Sequence, residues 1–277
     1  VTPQQKRTMV QRLQAEGHTV AMTGDGVNDV LALKDADMGI AMGSGSAASR
    51  AVAQLVLLDN AFATLPRVLA EGRKVINNIE RVANLFVTKA CYAVLLTLMV
   101  GLAQIEFPFL PRQLTLIGSF SIGVPGFFLA LAPNAALARA GFLERVLRFS
   151  IPSGIVAAIA TFIVYEIARE SDSATLAEAR TLATMTLLAI GLVVLVVISR
   201  PLRPWKLGLA ALMGLAYGVV LAVAPLREYF ELDLPPGWLW GPAGGAIAVA
   251  AVLIVAVPKL VPGLRIELGE TEAERAG

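Results

Sequence analysis

Over residues 1–63, short apolar runs alternate with amphipathic helical patterns. Three of the runs have the length of a β-strand and are bounded by Gly, Asp or Asn: 19–23, 38–42 and 55–58. The segments around them carry helix-start residues and apolar spacings of three and four: 2–16, 28–35 and 46–54. Strands separated by helices predict βαβ units with parallel strands. We therefore expect part of an α/β domain here, with its remaining strands supplied by chain that precedes Val1.

The pattern changes at Asn84, after which charge-poor runs follow one another. Each has about the 20 residues that a helix needs to cross a bilayer. The runs lie at 85–103, 114–133, 149–168, 181–199, 207–226 and 238–257. Of the 277 residues, 56% are hydrophobic and 16% are charged, whereas soluble domains have about 45–50% and about a quarter. The pattern favours a membrane domain of six helices over 85–257, rather than the large buried core of a soluble helical protein.

The connectors between these runs hold most of the charge, and they alternate in character. Two connectors are basic, with these side chains: Arg139, Arg145, Arg148, Arg200, Arg203 and Lys206. The other connectors are acidic or mixed. Cytosolic loops of membrane proteins are enriched in Lys and Arg. We therefore expect a multi-pass protein of the plasma membrane, with the N-terminal domain and the tail at 258–277 both in the cytosol.

One helical pattern joins the two halves of the chain. From residue 64 to residue 101 it is interrupted only by Pro66 and Gly72, and Pro66 lies where the first turn of a helix tolerates proline. The segment at 64–84 is polar, and the apolar run follows it. We therefore predict a stalk helix at 64–84 that continues into the first membrane span.

A glycine-rich loop at residues 23–29, with the sequence TGDGVND, lies between a predicted strand and a predicted helix. Gly24 and Gly26 allow the backbone to turn tightly and to approach a ligand closely. The N-terminus of a helix favours bound anions, because its backbone N–H groups are unpaired and its dipole is positive. The loop therefore has the features of a phosphate-binding site.

The polar side chains of this loop fit a magnesium and phosphate site. Asp25 and Asp29 are hard oxygen ligands of the kind that Mg²⁺ prefers, together with water and phosphate oxygens. Asn28 can form hydrogen bonds without adding charge, and Lys6 can bring a cation to the same phosphate. The alternative is structural, because Asp-Gly is a common turn and the two aspartates can serve only to cap a helix.

The sequence TGDGVNDVLAL at 23–33, within the stretch at 22–45, and the later stretch at 56–89 resemble the end of the phosphorylation domain and the stalk of P-type ATPases. These are ion pumps with a haloacid-dehalogenase-like catalytic domain, and six membrane spans after that domain are also usual in the family. The resemblance implies that Asp25 is the Mg²⁺ ligand and that Asn28 and Asp29 support the metal and the phosphate. It also implies that Lys6 contacts the phosphate.

Other elements of that family have no counterpart in the sequence. No Asp-Lys-Thr-Gly-Thr motif occurs, so the aspartate that family members phosphorylate is absent from the chain. The nucleotide-binding domain, which would bind most of the ATP, is also without a counterpart. We therefore interpret the chain as the C-terminal part of a pump that needs its missing N-terminal part and does not hydrolyse ATP alone. A membrane-anchored phosphatase module and a non-catalytic truncated transporter are the alternatives.

The transported cation is harder to infer from the sequence. Carboxylates that calcium-type members carry in the first two spans are replaced here by Ala90, Ala93 and Ile122. The polar or helix-perturbing positions that remain are candidates for the transport pathway: Lys89, Ser119, Ser121 and Pro125. A lysine in a span marks a functional site by default, whereas near the end of a span it can extend to water. Pro125 is expected to break its helix and free carbonyls for a cation, or only to kink it.

The two segments VTKACYAVLL and SFSIGVPGFFLALAPN most resemble those of the mycobacterial cation-transporting ATPase E group within that family. This resemblance makes calcium a candidate for the transported cation. Nucleic acid is not expected as a partner, because the net charge is only +2 and no basic run accompanies it. The expected partners are the cation, the lipid bilayer and the rest of the pump.

Overall fold

A computed structural model describes residues 1–134, 136–137 and 141–260 of the chain. Arg139 and most of the predicted tail, from residue 261 onward, lie outside the described residues. The chain divides into two units, Val1–Gly72 and Arg73–Gly277, which are considered separately below.

The first unit contains a parallel sheet of three strands, in the order β1-β2-β3. The strands are β1 (Ala21–Gly24), β2 (Met38–Met42) and β3 (Leu55–Leu57). Met22 pairs with Gly39, and Ala41 pairs with Val56. The helices are α1 (Pro3–Ala15), α2 (Val30–Asp35) and α3 (Ala47–Val52). The parallel βαβ arrangement predicted from the sequence is therefore confirmed.

Local sequence explains where these helices begin and how they pack. Thr2 and Gln5 form a capping box at the start of α1, which satisfies backbone N–H groups that a helix N-terminus leaves unpaired. Val10 of α1 packs with Ala32 and Ala36 in a small apolar core. A 3-10 turn at Val27–Asp29 precedes α2, and a second 3-10 turn, at Phe62–Thr64, precedes the long helix α4.

Helix α4 (Leu65–Ala103) is 39 residues long and contains the boundary between the two units. The second unit continues with α5 (Pro111–Gly118), a π-helical turn (Ser119–Gly123) and α6 (Val124–Leu131). The remaining helices are α7 (Phe142–Arg169), α8 (Leu176–Ile198), α9 (Pro204–Ala222), α10 (Ala224–Tyr229) and α11 (Trp240–Leu260), with a 3-10 turn (Gly237–Leu239) before α11.

Six segments of the described chain are helical, long enough and apolar enough to cross a membrane. They are Phe62–Ala103, Pro111–Leu131, Phe142–Arg169, Leu176–Ile198, Pro204–Ala222 and Gly237–Leu260. Helix α8 is the most enclosed of them, with contacts to α7, α9 and α11. A six-helix membrane domain that follows a partial α/β domain is the architecture that the sequence predicts.

Two predicted spans differ in detail from the observed helices. The fifth run, expected to reach residue 226, ends at Ala222, and the short helix α10 starts at Ala224. Pro225 explains the break, since proline fits the first turn of a new helix but not the interior of an existing one. In the second run Pro125 does not break the helix as expected, because the π-helical turn at Ser119–Gly123 keeps the segment helical.

Candidate functional site

The loop between β1 and α2 places Asp25 directly after the last residue of β1, where its side chain is exposed. Carboxyl ends of parallel strands are the edge at which ligands bind in open α/β sheets. Asn28 is also exposed, within the 3-10 turn at Val27–Asp29. The loop therefore presents an exposed carboxylate and an exposed amide at the expected edge of the sheet.

Asp29 is buried in the same loop, with only 5% of its surface exposed. Its Oδ1 accepts a hydrogen bond from Lys6 Nζ at 2.5 Å, and its Oδ2 accepts one from the backbone N–H of Gly26 at 3.2 Å. Burial raises the pKa of Asp29, but the bonds from Lys6 and Gly26 outweigh it, so the pKa lies below its usual value of 3.8. Asp29 is therefore an ionised group that positions Lys6 and the loop.

These contacts give the two aspartates different roles. Each carboxylate oxygen of Asp29 already accepts a hydrogen bond, whereas the side chain of Asp25 is exposed. An exposed carboxylate, in the same loop as the buried carboxylate that binds Lys6, fits the ligands of Mg²⁺ and phosphate, because Mg²⁺ takes one or two carboxylates together with phosphate oxygens and water. The residues present thus suit a magnesium ion, with Asp25 as the accessible ligand.

Two serines that the sequence did not predict as site residues form hydrogen bonds to the backbone of this loop. Ser49 of α3 is fully buried, and its Oγ donates to the carbonyl of Gly26 at 2.7 Å. The backbone N–H of Ser46 donates to the carbonyl of Asp25 at 2.7 Å. Ser46 also caps α3, since its Oγ accepts a hydrogen bond from the N–H of Ser49. The only feature of the sequence that pointed to these serines was the GSGS segment at 43–46, which is typical of a turn and a helix cap.

The glycines of the loop differ in how closely other atoms approach them. A Cβ added at Gly24 would lie 2.5 Å from Cβ of Asp29, so only glycine fits beside the buried carboxylate. At Gly26 the nearest atom would be 3.7 Å away, which is ordinary contact. Gly45 is as restricted as Gly24, because its Cβ would lie 2.8 Å from the carbonyl oxygen of Asp25. Close packing therefore requires glycine at Gly24 and Gly45, and Gly26 has more room.

In the second unit, the candidate pathway residues divide between two cavities. Lys89 and Ser119 line an open groove of about 350 Å³ between α4 and the segment from α5 to the π-helical turn. The ammonium of Lys89 lies over Gly118, 3.3 Å from where a Cβ of that residue would be. Pro125 is buried in the first turn of α6, immediately after the π-helical turn.

Ser121 lines a second, more enclosed cavity of about 20 Å³ among α4, the π-helical turn, α7 and α8. Its Oγ donates to the carbonyl of Ile117 at 2.7 Å. Thr88 lines the same cavity, and its buried hydroxyl has no hydrogen-bond partner among the residues described. A cavity of that size can hold one water molecule, provided that polar groups bind it. Thr88 is thus a pathway candidate that the sequence did not reveal.

Comparison with known proteins supports the interpretation of both units. The family model for haloacid dehalogenase-like hydrolases matches residues 1–37. The calcium-transporting ATPase CtpE of Mycolicibacterium smegmatis is 53% identical over 84% of this chain and 31% of that protein. CtpE of Mycobacterium tuberculosis is 54% identical over the same shares. The calcium-transporting ATPase of Bacillus subtilis is 32% identical over 68% of this chain and 22% of that protein.

The chain thus spans about a third of the length of the CtpE proteins. A solved structure of the catalytic domain of the CPx-ATPase CopB-B is 40% identical over 24% of this chain and 27% of that one, with a TM-score of 0.24, too low to compare the folds. The matches to the ATPases, the TGDGVND loop after β1 and the six membrane-length helices agree with one another. They show that the chain belongs to the P-type ATPase family, of whose members it represents a part.

Proposed function

We propose that this chain is the C-terminal part of an ATP-driven cation pump, with calcium as the transported ion. The observation that carries the proposal is the arrangement of Asp25, Asp29 and Lys6 at the carboxyl end of β1. The most similar relatives above are named calcium-transporting ATPases, which supports the choice of ion. The first unit would supply the part of the catalytic domain that binds magnesium and phosphate, and the second unit would supply part of the cation pathway.

In the complete protein, Asp25 would hold Mg²⁺, which screens the negative charge of the transferred phosphate. Lys6 would contact the same phosphate, with its ammonium oriented by the ionised Asp29. Asn28 would add a neutral hydrogen bond from the exposed 3-10 turn. The sequence holds no Asp-Lys-Thr-Gly-Thr motif, so another part of the protein would supply both the phosphorylated aspartate and most of the ATP site.

The membrane part of the proposal rests on the π-helical turn at Ser119–Gly123. Such turns are rare and frequently occur at functional sites. Pro125 has no N–H, so it cannot donate to the carbonyl of Phe120 or Ser121, five and four residues earlier. Backbone carbonyls freed in this way, together with the hydroxyl groups of Thr88 and Ser121, are oxygen ligands that suit a desolvated cation.

Lys89 would act in the adjacent groove as a fixed positive charge. The ammonium competes with a transported cation for the same oxygens, so it can help to expel the cation or occupy the empty site during the return step. Its position in the groove with Ser119 supports this role. The carboxylates that a divalent cation needs would come from helices outside this chain.

We further propose that the first unit lies in the cytosol, together with the end of α11. Arg145, Arg148, Arg200 and Arg203 follow the second and fourth spans, and this bias favours the cytosolic side for those connectors. The protein would lie in the plasma membrane.

The proposal is tested with the complete protein, purified and reconstituted in liposomes. We expect ATP to drive uptake of radiolabelled calcium when Mg²⁺ is present, and we expect Asp25→Asn to abolish that uptake. Uptake of another cation in place of calcium would support the proposal of a pump and would change only the assignment of the transported ion. The absence of ATP-driven transport of any cation tested would contradict the proposal.

A further inference from the structure

Four positively charged residues lie close together at one end of the membrane helices in the second unit. Arg200 and Arg203 lie in the connector between α8 and α9, Lys206 lies in the first turn of α9, and Arg81 approaches from α4. We call these four residues the α8–α9 basic cluster. The connector from Ser199 to Lys206 contains no acidic residue.

The hydrogen bonds of Lys206 and Arg81 are made to neutral oxygens, which are backbone carbonyls and the side-chain oxygen of Asn78. Lys206 is only 5% exposed, and its Nζ donates to the carbonyls of Ser199 and Pro201 at 2.5 and 3.0 Å. Arg81 Nη2 donates to the carbonyl of Arg200 at 3.0 Å. Carbonyl dipoles satisfy the donors but leave the net positive charge in place, and a buried charge without a counter-charge is costly.

The positive charges of the cluster act on one another. Arg81 and Arg203 both lie close enough to Lys206 to repel its ammonium. The neighbouring carboxylate, Glu80, attracts Arg81 but is bound to Arg145 through two hydrogen bonds of 3.0 and 2.6 Å. Among the residues that the structure describes, none of the four has an ion pair with a carboxylate of this chain. The cluster is therefore a concentration of positive charge that an external anion would neutralise.

The surroundings of the cluster indicate where such an anion would lie. The cluster is at the ends of two membrane-length helices, Leu176–Ile198 and Pro204–Ala222, and hence at the depth of lipid headgroups. Leu202, Trp205 and Leu207 are exposed beside it, by 44, 40 and 45%. Tryptophan is enriched at this depth of a membrane, and basic pockets between membrane helices bind anionic headgroups.

We propose that the α8–α9 basic cluster binds the phosphate of an anionic phospholipid. The headgroup phosphate contacts Arg200 and Arg203, with Arg81 and Lys206 behind them, and the acyl chains lie against Leu202, Trp205 and Leu207. The combination of exposed apolar side chains with cations favours a lipid over a free phosphate, which has no apolar part. This binding is separate from cation transport and from the loop that carries Asp25.

The test uses the complete protein in detergent, with native mass spectrometry to measure the binding of phosphatidylglycerol and of phosphatidylcholine. The wild type should bind phosphatidylglycerol more tightly. The double variant Arg200→Gln/Arg203→Gln should lose roughly 25-fold of this preference, at about fivefold for each cation near an anionic lipid surface. Neither side chain makes a hydrogen bond with another residue of the described part of the chain, so their replacement should leave the fold intact, which is checked by the melting temperature.

Lys259→Gln is the matched control, because Lys259 is an exposed cation at the end of α11 and lies outside the cluster. The control should retain the full preference, and inorganic phosphate should not displace the lipid. The single variant Arg203→Gln, at an exposed position, should show a loss of about fivefold if the double variant does not fold. Equal binding of the two lipids by the wild type, an unchanged preference in both cluster variants, or displacement by inorganic phosphate would overturn the proposal.

Discussion

At the residue scale, the loop after β1 shows which parts of a site can be inferred from sequence. The residue types at Asp25, Asp29 and Lys6 indicate metal and phosphate chemistry by themselves. The different roles of the two aspartates could not be inferred, because they depend on a hydrogen bond to Asp29 from Lys6 of α1, which lies 23 residues earlier in the chain. The role of Ser49 could not be predicted for the same reason, because its hydroxyl contacts the loop through the packing of α3 in the folded chain.

We predict that Asp29→Asn destabilises the complete protein at neutral pH. The variant removes the charge that Lys6 pairs with, and the expected loss is about 1 to 2 kcal/mol, allowing for the partly exposed Lys6 side chain. The pKa of Asp29 is lower in the folded state than the unfolded value of about 3.9. The stabilisation is therefore fully present above that value and is lost as the pH falls through the lower, folded pKa.

The measurement is the melting temperature without Mg²⁺, at pH 6 and at pH 8. The difference between wild type and Asp29→Asn should be the same at both values, because Asp29 is fully ionised in that range. Asp172→Asn, which changes an exposed carboxylate in the connector between α7 and α8, is the control and should melt like the wild type. A difference that changes between pH 6 and pH 8 would mean that Asp29 titrates near neutrality.

We also predict that Lys89→Ala alters cation affinity or the coupling of transport to hydrolysis, while the protein remains folded and inserted. Lys89→Arg should rescue only in part, because the guanidinium is larger and its charge is more diffuse. If the side chain only extends to water, arginine should be fully tolerated and alanine should cost a little stability. Cation-stimulated ATPase activity and cation uptake, measured for both variants at matched expression, distinguish the counter-charge role from a side chain that only extends to water. Unchanged transport by Lys89→Ala would contradict the counter-charge role.

At the element scale, the strands and most of the membrane helices follow directly from the hydrophobic pattern. The β2 strand occupies the predicted residues 38–42, because β-strand length and the flanking polar residues are local signals. The exceptions occur at prolines. At Pro225 the chain starts a new helix, and at Pro125 it adopts a π-helical turn, and a proline by itself does not specify which of these follows. The π-helical turn packs against α8, where Ser121 lies against Gly191.

This contact leads to a prediction for the variant Gly191→Ala. A Cβ at Gly191 would lie 2.8 Å from Cβ of Ser121, so α8 and the π-helical turn would have to move apart. We expect a loss of about 1 to 3 kcal/mol, as for other overpacked interiors, together with reduced transport. Gly218→Ala on α9 is the control, because nothing lies within 4 Å of a Cβ there. Thermal unfolding of the complete protein in detergent measures both, and equal melting temperatures for the two variants would refute this packing.

At the scale of the whole molecule, the sequence indicated both the partial α/β domain and the membrane part that follows it. The periods of two and of 3.6 residues, and the lengths of the apolar runs, are sufficient for that conclusion. The orientation in the membrane is a further inference from the charges of the connectors, and it leads to a prediction of its own.

We predict that the connector between α7 and α8 faces the outside of the cell and that the connector between α8 and α9 faces the cytosol. Single cysteines at Asp172 and Leu202, both exposed, report on the two sides in a protein whose other cysteines are replaced. A membrane-impermeant maleimide should label Asp172→Cys in intact cells and should label Leu202→Cys only after permeabilisation. The reverse pattern would invert the proposed topology.

The most direct measurement of the central claim is Mg²⁺-dependent ATP hydrolysis by the complete protein carrying Asp25→Asn, with Asp172→Asn as the matched control. The substitution removes the exposed carboxylate that would balance the charge of Mg²⁺ at the phosphate, so we predict that hydrolysis and phosphoryl turnover are abolished. The control should hydrolyse ATP at the wild-type rate. Wild-type hydrolysis by Asp25→Asn would contradict the assignment of this loop as the magnesium and phosphate site of a P-type pump.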